Sequence, residues 1–80
     1  MKTNYTKIKT IIQVMGKYGV KPLSKMKGAD FVHDLGFDAV YVGGLIYDVE
    51  DALHVRLDDD EAKNLRNPQE LIGSMLRYQN

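Results

Sequence analysis

The sequence predicts an all-α fold, a bundle of four helices in which three are longer and one is short. Apolar residues recur at spacings of three and four in three segments, which is the helical period. A capping residue stands before each of these three segments. Eighty residues, of which 44% are hydrophobic, are enough to close one core. We therefore expect residues 1–80 to form a single domain.

The first helix is predicted at about residues 4–18. Asn4 is placed to cap its start, and Gly19 is placed to end it in a left-handed conformation. The lysines between these positions fall outside an apolar stripe. This stripe consists of Tyr5, Ile8, Ile11, Ile12, Met15 and Tyr18.

A long connection follows from Val20 to Phe37, where the helical period is lost. Turn-forming residues, including Pro22 and Gly28, interrupt it. Scattered apolar side chains predict that the connection lies on the core, with one helical turn beginning at Asp30.

The second main helix is predicted to start after Asp38, which is a favourable N-cap. Its inner stripe is Val42, Leu45, Ile46, Val49 and Leu53, and its outward face carries Val40, Gly43, Gly44 and Tyr47. Two adjacent glycines inside a helix cost about 1 kcal/mol each relative to alanine. Either another backbone approaches them closely, or an otherwise well-packed helix tolerates them.

Two further helices complete the predicted bundle. The acidic run 58–61 suits the first turn of a short helix near residues 60–65, because it complements the helix dipole. Asn67, Pro68 and Glu70 then provide an N-cap, an N1 proline and an N3 acid for the last helix. The predicted core of the bundle is Ile8, Ile12, Met15, Phe31, Leu35, Val42, Leu45, Ile46, Val49, Leu53, Leu57, Leu65, Leu71, Ile72 and Met75.

Charge is unevenly distributed although the formal net charge is zero. Residues 1–29 carry seven lysines and no acid, whereas residues 30–61 carry ten acids and one arginine. The neighbouring acidic segment opposes the field that would attract phosphate, so nucleic-acid binding is disfavoured.

The absence of cysteine fits a reducing cytoplasm, and no segment has the features of a membrane span or a signal peptide. We expect the chain to be the mature protein.

No catalytic or metal-binding constellation is present in the sequence. Ser24 and Ser74 have no spacing that links them to His33 or His54, and these histidines are expected at the surface. The acidic run does not form an EF-hand, because Lys63 and Gln69 stand where that loop needs glycine and glutamate. The residues alone therefore predict a non-enzymatic helical module.

The order of the segments resembles an acyl carrier protein. The similarity is collinear and gapless from about Ile8 to Leu76, and the stretch from Asp30 to Asp38 carries its most specific part, with Phe31 followed by Asp34-Leu35-Gly36. In that family a Phe-x-x-Asp-Leu-Gly-x-Asp-Ser-Leu motif holds a serine at the start of the second helix, and a transferase attaches 4'-phosphopantetheine to it. The resemblance implies a carrier that is not itself an enzyme.

The attachment serine of the family is replaced here. The resemblance places Asp38 at the motif acid, Ala39 at the serine and Val40 at the leucine. Alanine has no hydroxyl, so the chain as written is expected to carry no cofactor; with serine at residue 39 we expect 4'-phosphopantetheine. Either a divergent carrier has had its serine substituted, or carrier function has been lost naturally.

The resemblance also implies the partners. These are a phosphopantetheinyl transferase and acyl-handling enzymes such as synthases or acyltransferases, bound by a monomer. In the family, acids on the second helix attract basic partner surfaces. The predicted partner-binding residues are Val40, Tyr41, Gly43, Gly44, Tyr47, Glu50 and Asp51. The alternatives are a degenerate module that binds a partner helix through the Gly43 and Gly44 face and, third, a nucleic-acid binder that uses the lysine-rich first helix.

Overall fold

The computed structural model describes residues 2–77, with the side chains of residues 4–77. These residues form five helices and no strand, which confirms the all-α prediction. In chain order the helices are α1 Lys2–Lys17, α2 Leu23–Met26, α3 Ala39–Leu53, α4 Asp59–Lys63 and α5 Pro68–Arg77. Helix α1 packs against α3 and α5. Three helices are long, as predicted, but two are short rather than one.

The additional short helix is α2, which lies in the segment predicted as an irregular connection. Pro22 stands before it in an extended conformation, and the Lys21–Pro22 peptide bond is cis. Leu23 and Met26, three residues apart, both pack against the core. The sequence prediction that the connection lies on the core is thus confirmed, and a single helical turn is how the backbone achieves it.

One hydrophobic core joins the helices and the long connection. The prediction of Ile12 in this core is wrong, since Ile12 is 39% exposed whereas Ile11 is fully buried. Ile11 and Met15 are four residues apart and share the inner face of α1, and Ile12 is turned about 100° away from Ile11. Ile8 is only half-buried. The buried apolar set is Ile11, Met15, Val20, Phe31, Leu45, Ile46, Val49, Val55, Leu57, Leu65, Leu71 and Met75.

The sequence predicted the C-terminal end of α1 correctly but not its N-terminal end. The helix already includes Lys2, so Asn4 lies inside it and is not its N-cap. At the other end Gly19 has a φ of +96°, which confirms the left-handed termination. The backbone N–H of Val20 then donates to the carbonyl of Met15 at 3.0 Å.

Helix α3 is fixed at both ends by its own capping residues. The Asp38 side chain accepts a hydrogen bond from the backbone N–H of Tyr41 at 2.8 Å, as the N-cap prediction requires. At the C-terminal end His54 adopts a left-handed conformation with φ of 58°, a position where glycine is more usual. This C-cap was not predicted, because a histidine gives no sequence signal for it.

Backbone hydrogen bonds tie the long connection to the segment before α5 and to the first turn of α5. Phe31 N–H donates to the carbonyl of Arg66 at 2.7 Å, and Gln69 N–H donates to that of Lys27 at 2.9 Å. Asn67 caps α5 by accepting from the N–H of Glu70 at 2.8 Å, as predicted. None of the helices within residues 2–77 combines the length and apolar character that crossing a bilayer requires.

Leu45→Ala is expected to lower the free energy of unfolding by about 2 to 5 kcal/mol, because it leaves a cavity in the core. Leu45 has no exposed surface. Val40→Ala is the matched control on the same helix; Val40 is 85% exposed, so its truncation should change stability by less than about 0.5 kcal/mol. Urea denaturation measures both, and equal losses for the two variants would contradict this core.

Candidate functional site

Residue 39 stands at the point where the long connection becomes a helix. Ala39 is the first residue of α3 and is exposed, and Asp38 directly before it is engaged as the N-cap. The resemblance in the sequence assigned both residues to the cofactor position. The structure therefore places that position at an accessible helix N-terminus, with an alanine methyl group in place of any side-chain hydroxyl.

A tight turn fixes the connection ahead of residue 39. The carboxylate of Asp30 accepts hydrogen bonds from the backbone N–H groups of His33 at 2.8 Å and Val32 at 2.9 Å. The bond from His33, followed by that from Val32, holds the pKa of Asp30 below its usual range. Asp34 N–H donates to the Asp30 carbonyl, which confirms the helical turn predicted at this residue.

Four aromatic rings link this turn to the end of α1. Phe31 and Phe37 stack with ring centroids 6.2 Å apart, and Phe37 meets Tyr41 edge to face at 4.8 Å. Tyr41 in turn meets Tyr18 edge to face at 5.0 Å. Such contacts stabilise beyond the area they bury, so the residues on both sides of Ala39 are held in one arrangement.

Tyr18 reaches from the end of α1 across the outer surface of α3. Its hydroxyl donates a hydrogen bond to the carboxylate of Asp48, and its backbone carbonyl accepts one from the Tyr41 hydroxyl at 2.8 Å. The hydrogen bond to Asp48, with burial and the Asp48 charge, raises the pKa of Tyr18 to about 12. The sequence placed Tyr18 in the helical stripe but gave no signal for this interaction.

The two glycines of α3 have different surroundings. A Cβ at Gly44 would lie 3.4 Å from the Tyr18 hydroxyl oxygen, whereas a Cβ at Gly43 would meet nothing within 4 Å. The expectation that both face solvent is thus wrong for Gly44, which is half-covered. Close approach was one of the two explanations for these glycines. It applies at Gly44, and the approaching group is a side chain rather than a backbone.

The other residues predicted to bind partners divide into exposed and buried ones. Val40, Tyr47 and Asp51 are well exposed, and Tyr41 is 41% exposed although its hydroxyl is engaged. Glu50 is only 9% exposed, and its Oε2 accepts a hydrogen bond from the Leu57 N–H at 2.7 Å. We therefore remove Glu50 from the predicted partner surface, because its carboxylate holds the segment between α3 and α4.

A cavity of about 720 Å³ opens beside residue 39, between α3 and α4. Ala39 and Gly43 line its edge, and three exposed cations, Arg56, Lys63 and Arg66, lie around it. Sequence reasoning missed this cavity, because the residues that line it come from three segments. Of these three cations only Arg56 lies within the acidic segment 30–61, and one arginine gives no signal for a cavity.

Within residues 4–77 the side chains form no group of three metal-binding residues. His33 and His54 are both exposed, as expected from the sequence. Ser24 is exposed, and Ser74 is buried beside Arg77 in α5. None of these residues belongs to the site around Ala39 except His33, which lines the cavity.

Comparison with known proteins assigns the family. The chain is 30% identical over 78 residues to an acyl carrier protein of the diatom Phaeodactylum tricornutum, an alignment that covers 96% of this chain and 99% of that protein. This chain belongs to the acyl carrier protein family. It is also 31% identical over 68 residues to an acyl carrier protein of Guillardia theta, with 85% of this chain and 82% of the relative covered.

A third acyl carrier protein, from Exiguobacterium sibiricum, is 35% identical over 48 residues, which cover 60% of this chain and 56% of the relative. No protein-family model matches the chain. No solved structure matches it either. The assignment to the acyl carrier protein family therefore comes from the first two relatives, which are aligned over 99% and 82% of their lengths, and it agrees with the all-α bundle of the structure.

Gly43→Ala is expected to stabilise the isolated domain by up to about 1 kcal/mol, because it adds helix propensity in open space. Gly44→Ala should stabilise the domain less than Gly43→Ala does, or destabilise it, since its Cβ requires Tyr18 to shift by a few tenths of an ångström. Chemical denaturation of both variants measures the difference.

The control for this pair uses Tyr18→Phe, which removes the hydroxyl oxygen closest to the added Cβ. In the Tyr18→Phe protein, Gly44→Ala should raise the free energy of unfolding by part of the amount that Gly43→Ala gives. Equal effects of Gly44→Ala with and without the hydroxyl would contradict the close approach of Tyr18.

The raised pKa of Tyr18 predicts a loss of stability at high pH. The folded protein holds this proton more tightly than the unfolded chain, whose tyrosine pKa is about 10. The contribution is therefore complete below about pH 10 and is lost as the pH rises towards 12. Denaturation across this range should show a steeper decline for the parent protein than for Tyr18→Phe, which shares every other titrating group. Parallel curves would contradict the Tyr18–Asp48 hydrogen bond.

Proposed function

We propose that this protein serves as a carrier of acyl intermediates in fatty-acid or polyketide-type synthesis, through phosphopantetheine thioesters whenever residue 39 is serine. The observation that carries the proposal is the placement of residue 39. It is exposed at the first residue of a fifteen-residue helix, and the turn at Asp30 and the Asp38 cap fix the backbone ahead of it. The family membership supports the same role.

The chain as written does not fit the prosthetic group. A phosphodiester requires a hydroxyl oxygen, and the Ala39 side chain is a methyl group. Ser24 lies on the separate helix α2, and Ser74 is buried in α5, so neither replaces it. We infer that the Ala39 form folds and presents the carrier surface but cannot be modified with phosphopantetheine.

The role proposed is non-catalytic, with chemistry supplied by partner enzymes. These are a phosphopantetheinyl transferase and synthases or acyltransferases that meet a monomeric carrier, in keeping with the family. The absence of cysteine supports a cytoplasmic location. Asp51 is exposed for attraction to basic partners, whereas Val40 and Tyr47 offer apolar contacts. The partner surface is thus less acidic than the family's usual one.

A second candidate function is that of a degenerate binding module that carries no prosthetic group. Two observations favour it: the alanine at residue 39 and the exposed apolar side chains of Val40 and Tyr47 beside it. Such a module would bind a partner with no prosthetic group present. Loading of residue 39 distinguishes the two functions.

Ala39→Ser is expected to gain one phosphopantetheine when incubated with coenzyme A and a broad-specificity phosphopantetheinyl transferase. The parent chain should gain no mass, because it offers no hydroxyl at this helix start. Free backbone N–H groups and the helix dipole favour a phosphate there. Intact-protein mass spectrometry measures both reactions.

Ala52→Ser is the matched control, because Ala52 is also exposed on α3 but lies near its C-terminal end. It should remain unmodified. If folded Ala39→Ser stays unmodified with several transferases, the degenerate module replaces the carrier. Modification of the parent chain would place the attachment site elsewhere.

A further inference from the structure

Helix α1 carries two exposed apolar side chains on the side that is turned away from the core. Tyr5 is 65% exposed and Ile12 is 39% exposed. They belong to a row of residues that recur at spacings of four and three and therefore share one helical face, the outer stripe: Tyr5, Lys9, Ile12 and Gly16. Lys9 is two positions from the fully buried Ile11, which is about 160° around the helix axis. The outer stripe is thus distinct from the face that packs in the core.

Lysine side chains lie at both ends of the outer stripe. The Lys9 ammonium group is 5.5 Å from the centre of the Tyr5 ring, which is a cation–π distance. The Lys21 side chain, from the segment between α1 and α2, passes over Gly16, and its Cδ lies 3.9 Å from the position of a Cβ there. The other exposed lysines in this part of the chain are Lys17, Lys25 and Lys27.

Neighbouring acids do not neutralise these five exposed lysines. Residues 1–29 contain no aspartate or glutamate, and none of the five lysines forms an ion pair within residues 4–77. The acids of α3 lie beyond the inner side of α1, because α1 packs against α3. Charges separated by more than about 8 Å are largely screened at physiological ionic strength. The acidic segment therefore weakens attraction at a distance, but a surface in contact with the outer stripe meets mainly lysines.

The residue types favour a lipid surface over other anionic partners. All cations of residues 1–29 are lysines, and lysine is a point charge on a flexible stem. Arginine, which is absent there, supplies the fixed bidentate geometry that suits a phosphate or carboxylate in a defined position. A bilayer presents diffuse charge over an apolar interior, and its boundary accepts side chains such as Tyr5 and Ile12. The phosphate backbone of a nucleic acid offers Ile12 no such apolar medium.

We propose that the outer stripe of α1, with the exposed lysines beside it, binds the surface of an anionic lipid bilayer. The lysine ammonium groups meet the anionic headgroups, and Tyr5 and Ile12 enter the boundary between headgroups and acyl chains. Helix α1 lies in the plane of the surface, because its inner face stays packed in the core. This binding uses neither residue 39 nor the outward face of α3. It is therefore independent of the carrier function proposed above.

Sedimentation of the Ala39 chain with lipid vesicles measures the charge requirement. One set of vesicles is phosphatidylcholine alone, and the other is an equimolar mixture of phosphatidylcholine and phosphatidylglycerol. The protein should bind the mixed vesicles but not the neutral ones, and high salt should release it, because the attraction to anionic headgroups is screened. Equal binding to both sets, or binding to neither, would overturn the proposal.

Charge variants test whether the lysines of the outer stripe are the ones that bind. Lys9→Gln with Lys21→Gln should weaken binding to the mixed vesicles about tenfold to thirtyfold, because each lysine near an anionic surface contributes about fivefold. Lys63→Gln with Arg66→Gln is the matched control, since it removes the same charge from exposed positions outside residues 1–29. This control should bind as the parent does. An equal loss in both pairs would show a general effect of net charge and overturn the proposal.

Tryptophan fluorescence tests which side chain enters the bilayer. The chain contains no tryptophan, so one introduced at a single position reports on that position alone. The emission of Tyr5→Trp should shift to shorter wavelength with the mixed vesicles. Tyr47→Trp is the matched control, because Tyr47 is also exposed but lies on α3, and its emission should not shift. A shift at residue 47, or none at residue 5, would contradict the proposed orientation and overturn the proposal.

Ile12→Ser separates a lipid surface from other polyanions. It should weaken binding to the mixed vesicles about threefold to tenfold, because it removes apolar surface from the contact. Circular dichroism shows whether the helices are retained; if this variant fails to fold, the lysine pair and the tryptophan variants decide. Duplex DNA and polyglutamate should bind more weakly than the mixed vesicles at equal charge concentration. Tighter binding of either would assign the lysines to a nucleic acid or an acidic protein and reject the bilayer.

Loading of Ala39→Ser by a transferase is read separately from vesicle binding. Failure of either proposal therefore leaves the other standing.

Discussion

The packing of α3 into the core is the constraint on which the rest of this structure depends. Leu45 and Val49 have no exposed surface, and they share one core with Ile11 and Met15 of α1. Since α3 begins at residue 39, this core fixes where that residue stands and how it is oriented. The candidate site is thus positioned by core residues of α3 that are about two to three helical turns away from it.

Polar contacts add to the core packing that attaches the neighbouring segments to α3. Glu50 holds the segment leading to α4 through the Leu57 N–H, and Tyr18 holds the end of α1 through Asp48. An acid on the inner side of a helix at such a junction needs its hydrogen bond, since a buried charge without a partner is costly. Glu50 therefore serves the fold, and Asp51 beside it is exposed to solvent.

The sequence predicted the ends of the helices more accurately than the contacts between segments that are distant in the chain. The Asp38 cap, the Asn67 cap and the Gly19 termination follow from local chemistry, and the structure contains all three. Ile12 was misassigned because the apolar stripe of α1 is wide and its inward centre depends on which helices it meets. The Tyr18 contact with Gly44 and the cavity beside Ala39 join distant segments, so no local pattern indicates them.

The contact of Tyr18 with Gly44 and Asp48 restricts how this surface can diverge among related sequences. A residue larger than glycine at 44 crowds the Tyr18 side chain, because the hydroxyl oxygen lies 3.4 Å from the position of the added carbon. A shorter residue at 18 leaves the Asp48 carboxylate free and adds an accessible acid to the helix. Substitutions at positions 18, 44 and 48 are therefore expected to occur together among related sequences. Each combination gives the surface of α3 a different proportion of aromatic and acidic side chains.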